Sequence, residues 1–375
     1  DRVTFASAPW PPFEKLLEVT LGLSSLRVER CLLGTAAIFG GLIAADLLGG
    51  LAGVQEMWPR SWNCDNARCY TEMFCEPTRP GRLLRRPGNA CSNVTYVFSS
   101  FCVVCSTLQQ PNSGATPNPF WLPDCAFGLM LLVLGSTSVV WHASNAPASQ
   151  YPDLWSMDCC IVYLIVRFIF LAVHGGARAL LGPDAARAVA VGGCSLLYAL
   201  IVWHNGCHHW ENFQKRWLHG GCPFSGRSRL AKGDAANAVA AAAGRSPHCE
   251  VPVVEVCIFA GMPVLFCLLP MLIQLCVLRA AGSRCAATLA AASLVIGWGT
   301  RMFERWVVDG YGPMLLVEAA RRRMGSGGPR QLLFGPPLTV FAALVSPTAV
   351  LHAFTGVTLM AGYAHVRSVD SQVLA

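Results

Sequence analysis

Apolar residues fall in long runs along this chain, separated by polar connections, and the spacing predicts helices of membrane-spanning length. A span needs about 20 mostly apolar residues. Eight runs qualify: 31–54, 93–109, 122–142, 154–175, 185–203, 251–279, 283–300 and 335–365. The run 93–109 is short and rich in Ser, Thr and Cys, and 335–365 carries Pro347, which is expected to kink it. Backbone groups in lipid must find partners within the segment, so these runs are expected to be helices rather than open strands. The short connections 143–153 and 176–184 predict antiparallel neighbours.

Composition turns a set of helices into a membrane protein. The 375 residues are 54% hydrophobic and 13% charged, against roughly 25% charged in a soluble domain. That balance excludes a soluble enzyme, a disordered chain and a secreted disulfide scaffold. The expected fold class is an all-α polytopic membrane protein. Net charge is +7, but the basic residues sit between apolar runs, where they set topology, so no nucleic-acid partner is expected. Loops 55–92, 204–250 and 301–334 carry six Lys or Arg each. With eight spans these loops share a side with 143–153, and the positive-inside rule makes that side cytoplasmic. Of the 18 cysteines, those at 102, 105, 159, 160, 194, 257, 267 and 276 lie in apolar runs as small hydrophobes. Cys64, Cys69, Cys75 and Cys91 cluster outside, where disulfides are an open option.

Polar residues inside spans are costly and often functional. The most suggestive group is Ser138-Val-Val-Trp-His142 at the end of the third run, followed by Asp153 and Met157 at the start of the fourth. Ser138 and His142 share a helix face, and Asp153 returns to the same membrane edge. Imidazole, carboxylate and hydroxyl together suit metal-activated hydrolysis; the plainer reading is a His paired with an Asp that caps a helix. Arg167 is expected to pair with Asp158 or to snorkel, and Asp46 and Glu255 to find structural partners. Asn93-Val-Thr95 forms a glycosylation sequon, read as a helix-start Asn too close to lipid. His204-Asn-Gly-Cys-His208-His209 invites a di-iron reading. Only nine histidines exist and no second box appears, so a wet loop cluster is the better reading, with an accidental zinc site using Cys207 as the other. Trp121, Trp141, Trp203, Trp210 and Trp306 are read as an interfacial belt.

The ordered elements resemble the alkaline ceramidases, within the CREST superfamily of seven-helix membrane hydrolases and receptors. Ser138-x-x-x-His142 with Asp153 and Met157 is similar to that family's signature. So are Cys75-Glu76-Pro77, Asn89-Ala-Cys-Ser92-Asn93, Trp306-x-x-Asp309 and His352-Ala-Phe-Thr355-Gly356. The resemblance implies a seven-helix domain over 73–366, preceded by segment 1–72 with an extra helix at 31–54 and followed by a tail at 367–375. It implies zinc held by His142 and His352, Asp153 as general base and Ser138 supporting the oxyanion, with ceramide-type lipid as substrate. Thr348 stands where the family has a third zinc His. Met73, Thr78 and Arg86 replace polar or acidic calcium ligands, leaving Glu76, so calcium is not expected. Pro313 stands where the disulfide partner of Cys75 would be. A membrane of the endoplasmic reticulum or Golgi is implied, with the zinc toward the lumen, opposite to the side the charge count gives. A non-catalytic or receptor-like lipid-binding member of the superfamily is the alternative.

Overall fold

The computed structural model describes residues 21, 23–52, 58, 82–108, 118–144, 147–218, 284–308 and 347–373. Every regular element among them is a helix: α1 (Ser25–Leu51), α2 (Pro87–Ser92), α3 (Val94–Leu108), α4 (Trp121–Ser144), α5 (Pro147–Leu181), α6 (Pro183–Leu218), α7 (Arg284–Val308) and α8 (Pro347–Val373). Among the described residues, six stretches are long and apolar enough to cross a membrane: Ser25–Leu51, Pro87–Leu108, Trp121–Ser144, Tyr151–Leu171, Pro183–Glu211 and Ala349–Val369. Ala286–Thr300 is a shorter apolar helix. The protein is an all-α, multi-pass membrane protein. The expected run 251–279 lies outside the described residues.

α4, α5 and α6 overrun their apolar runs at both ends, because a helix continues for as long as its backbone bonds are made, whether or not its surface is apolar. The expected connection 143–153 shrinks to residues 145 and 146, so Asp153 lies inside α5 rather than at its tip. Between α5 and α6 only Gly182 remains, at φ 80°. Glycine reaches that left-handed conformation without a Cβ clash, and Pro183 then starts α6 with its fixed φ. The stretch 204–209 is helical, part of α6, and not a loop. Pro347 is the first residue of α8 as described, a position where its missing N–H costs nothing, rather than a kink within the described helix.

Packing runs α3 on α4, α4 on α5, α5 on α6 and α7 on α8, with α8 also against α3 and α5, while α1 lies outside against α3. The central core gathers Tyr96, Phe127, Leu131, Tyr163, Leu359 and Tyr363. Lipid tails are as apolar as these side chains, so close packing and interhelical hydrogen bonds supply the association. Contact between α3 and α8 shows both. Ser99 Oγ lies 3.2 Å from the Gly356 carbonyl, and Thr95 Oγ1 donates to the His352 carbonyl at 3.2 Å. A Cβ on Gly356 would stand 2.3 Å from Thr95 Oγ1 and 2.7 Å from Thr95 Cβ. Gly356→Ala is therefore expected to destabilise the protein by about 1–3 kcal/mol through overpacking. A fall in the melting temperature of the detergent-solubilised protein would register it.

Candidate functional site at the carboxyl end of α4

Three chain segments meet where α4 ends. The last carbonyls of a helix lack intrahelical partners, and here residues 85 and 86 supply them. Arg85 N–H donates to the Ala143 carbonyl (3.0 Å), Arg86 N–H to that of His142 (3.2 Å), and the Arg85 guanidinium to that of Ser144 (2.8 Å). A cation at a helix carboxyl terminus also meets the negative end of the dipole. These arginines are buried, at 7% and 2% exposure. Arg82 joins Asp46 of α1 at 3.2 Å, and the same carboxylate accepts Leu84 N–H at 2.9 Å. Three of the six basic residues in 55–92 thus hold structure at this end of the bundle, while Asp46 has the structural partner expected of it.

On this platform His142 and His352 face one another. Their ring centroids are 4.9 Å apart, and both side chains are buried, at 1% and 9% exposure. His142 comes from the last turn of α4 and His352 from the second turn of α8. Ser138 lies one turn below His142, at 1% exposure.

The hydrogen-bond pattern assigns the tautomer of His352. The Ser92 hydroxyl donates to the Asn89 carbonyl at 2.8 Å. Its single hydrogen is then used, so at the 3.1 Å contact with His352 Nδ1 the hydroxyl accepts and Nδ1 carries the proton. The Asn89 carbonyl, 3.3 Å from the same nitrogen, can likewise only accept. Nε2 is left with the lone pair, the form in which imidazole binds a metal or takes a proton. Tyr96 closes the side, its ring 6.2 Å from that of His352 and its hydroxyl 2.7 Å from Thr355 Oγ1. Thr355 gives its own hydrogen to the Leu351 carbonyl, so Tyr96 is the donor there.

Asp153 is half-buried on the second turn of α5, near enough for its charge to act on the Tyr96 hydroxyl. The structure therefore brings His142, His352 and Ser138 to one end of the bundle and places Asp153 beside their neighbour Tyr96. The side chains of Trp306 and Thr348, and residues 73–78 and 309–313, lie outside what is described. Among the described residues, no group of three or more His, Cys, Asp or Glu is arranged to hold a metal ion. Two imidazoles, one of them in the ligating tautomer, are what an ion would find here.

Comparison with family models, with curated proteins and with solved structures returns no match. The site must be read from its own geometry.

Sequence reasoning missed a second polar centre, near the other end of α4. Asp124 and Arg167 are both fully buried, with Arg167 Nε 3.4 Å from the Asp124 carboxylate. That carboxylate also accepts from Tyr163, from Tyr363 at 3.1 Å and from Asn118 at 2.9 Å, with Arg367 at 3.9 Å. The guanidinium of Arg167 stacks on Phe120, 3.4 Å from the ring centre, a cation–π contact. Arg167 is thus paired across helices with Asp124, not Asp158. Asp158 instead meets His209 of α6 at 2.7 Å.

Asn93 and Trp141 both lie in the interior. Asn93 is fully buried and its side-chain amide donates to the Asn89 and Ala90 carbonyls, ending α2, so the sequon amide is not presented for modification in this fold. Trp141 is 2% exposed and belongs to the interior, whereas Trp121, Trp203 and Trp210 remain exposed.

Proposed function

We propose that this protein is a zinc-dependent membrane hydrolase that cleaves the amide bond of ceramide-type sphingolipids, of the alkaline ceramidase kind, in the endoplasmic reticulum or Golgi. The observation that carries the reading is the meeting of His142 and His352, from distant parts of the chain, with the His352 tautomer set for ligation. These two residues would hold the metal. Zinc supplies carbonyl polarisation and lowers the pKa of water toward about 7. Asp153 takes the proton of the attacking water and passes it to the departing amine. Ser138 donates to the amide oxygen as it gains charge. The products are a sphingoid base and a fatty acid.

The alternative, a lipid-binding member without turnover, draws on a specific observation: two imidazoles, rather than three donors, are gathered among the described residues. Metal analysis and turnover separate the two. Purified wild-type protein is expected to hold about one zinc per chain, lost in His142→Ala, and to release fatty acid from labelled ceramide. Ceramide binding without zinc and without release would establish the alternative.

A further inference from the structure

The contact between α1 and α3 contains chemistry that the imidazole site does not use. Cys31 of α1 and Cys105 of α3 place their sulfurs 3.9 Å apart, and both are free thiols. The chain just before α1 is tied to α3, where the Ser106 hydroxyl donates to the Leu21 carbonyl at 2.7 Å. A Cβ on Gly34 would touch the Phe101 ring at 3.5 Å, so the helices already lie in van der Waals contact one turn along. The far end of α1 is tied separately, through Asp46 and Arg82. A disulfide needs sulfurs about 2.05 Å apart. Side-chain rotation can cover much of the remaining distance, because the thiols face each other across a fixed interface.

Reach selects which thiol reacts first. Cys105 is partly exposed, whereas Cys31 is 4% and Cys102 0% exposed. Hydrogen peroxide is small enough to enter an apolar edge that excludes charged oxidants.

We propose that Cys31 and Cys105 are a peroxide-responsive pair whose disulfide tethers α1 to α3. The Cys105 sulfur, giving up its proton to the departing oxygen, attacks the other peroxide oxygen and the O–O bond breaks. One water leaves and Cys105 carries a sulfenic acid. The Cys31 sulfur then attacks that sulfur, the S–O bond breaks and a second water leaves. Two thiols are oxidised by two electrons, and one peroxide is reduced to two waters. A thiol reductant reverses the bond by exchange. This tether is independent of the chemistry at His142 and His352.

Full-length protein in membranes is treated with hydrogen peroxide, alkylated and digested, and its cross-linked peptides are identified by mass spectrometry. Cys207, which is exposed, reports through a sulfenic-acid trap that oxidant reached the protein. The expected result is a Cys31–Cys105 linked peptide that disappears after dithiothreitol and in Cys31→Ala, and persists in Cys102→Ala. Trapped Cys207 with Cys31 and Cys105 both still alkylated would overturn the proposal. A link from Cys31 to Cys102 in place of Cys105 would overturn it as well.

Discussion

Asp153→Asn is expected to slow fatty-acid release from ceramide by about 10²–10⁴-fold, the usual contribution of a positioned general base. The amide has the shape of the carboxylate but cannot take up the proton of the attacking water. Asp153 is half-buried on α5, and its backbone carbonyl accepts the Ser156 hydroxyl. The amide is isosteric with the carboxylate, and His142 and His352 are untouched, so zinc content is expected to stay as in the wild type. Single-turnover release from labelled ceramide, measured beside metal content, separates a lost base from a lost metal. Full activity in the variant would place the base elsewhere.

Asp124→Asn is expected to act on stability instead, costing about 3–5 kcal/mol, the range for breaking a buried ion pair from one side. Asp124 and Arg167 are both fully buried, and the carboxylate collects Tyr163, Tyr363 and Asn118 as donors. Asparagine removes the negative charge and leaves the guanidinium in an apolar interior. The amide oxygen can keep only part of the donor set. A thermal melt of the solubilised protein measures the loss. Removing both charges in Asp124→Leu with Arg167→Met is expected to destabilise less than Asp124→Asn alone, because no charge is then stranded. An unchanged melt in Asp124→Asn would mean that the centre contributes nothing to holding α4, α5 and α8 together.

The contrast between these two aspartates shows what the sequence disclosed. Spans were legible because lipid demands length and apolarity, which a linear reading measures directly. Even the polar run 93–109 forms a helix. The Ser99, Ser100 and Thr107 hydroxyls donate to the Thr95, Gly128 and Val103 carbonyls, so their polarity is absorbed within the bundle. Helix ends were less legible, since 147–153 and 204–209 are polar yet helical. Ser138 and His142 could be paired from spacing alone, four residues apart on one helix. Nothing local ties Asp124 to Arg167, or Ser92 to His352. Those partnerships come from helices crossing in space, and the reading of Arg167 failed for that reason, taking Asp158 as the nearer choice in sequence. The contacts of the basic residues at 82–86 were hidden in the same way, since nothing local ties Arg82 to Asp46 or Arg85 to the end of α4.

α4 and α8 are each fixed at two points, through Asp124 with Tyr363 and Arg367 near one end and at His142 and His352 near the other. Over the roughly 27 Å between Asp124 and His142, α4 behaves as a stationary beam. The first turns of α5 differ. Pro152 lies inside the helix and removes one of its backbone hydrogen bonds, directly before Asp153. This softened stretch leans on α6, where Tyr151 donates to the Gly206 carbonyl at 3.1 Å and Trp155 to that of Val202 at 3.0 Å. Asp153 thus sits on a turn that lacks one backbone hydrogen bond and is braced by α6, while His142 is carried by α4 and His352 by α8. Substitutions around Val202 and Gly206, remote from the histidines, would tune the distance between the carboxylate and the imidazole pair.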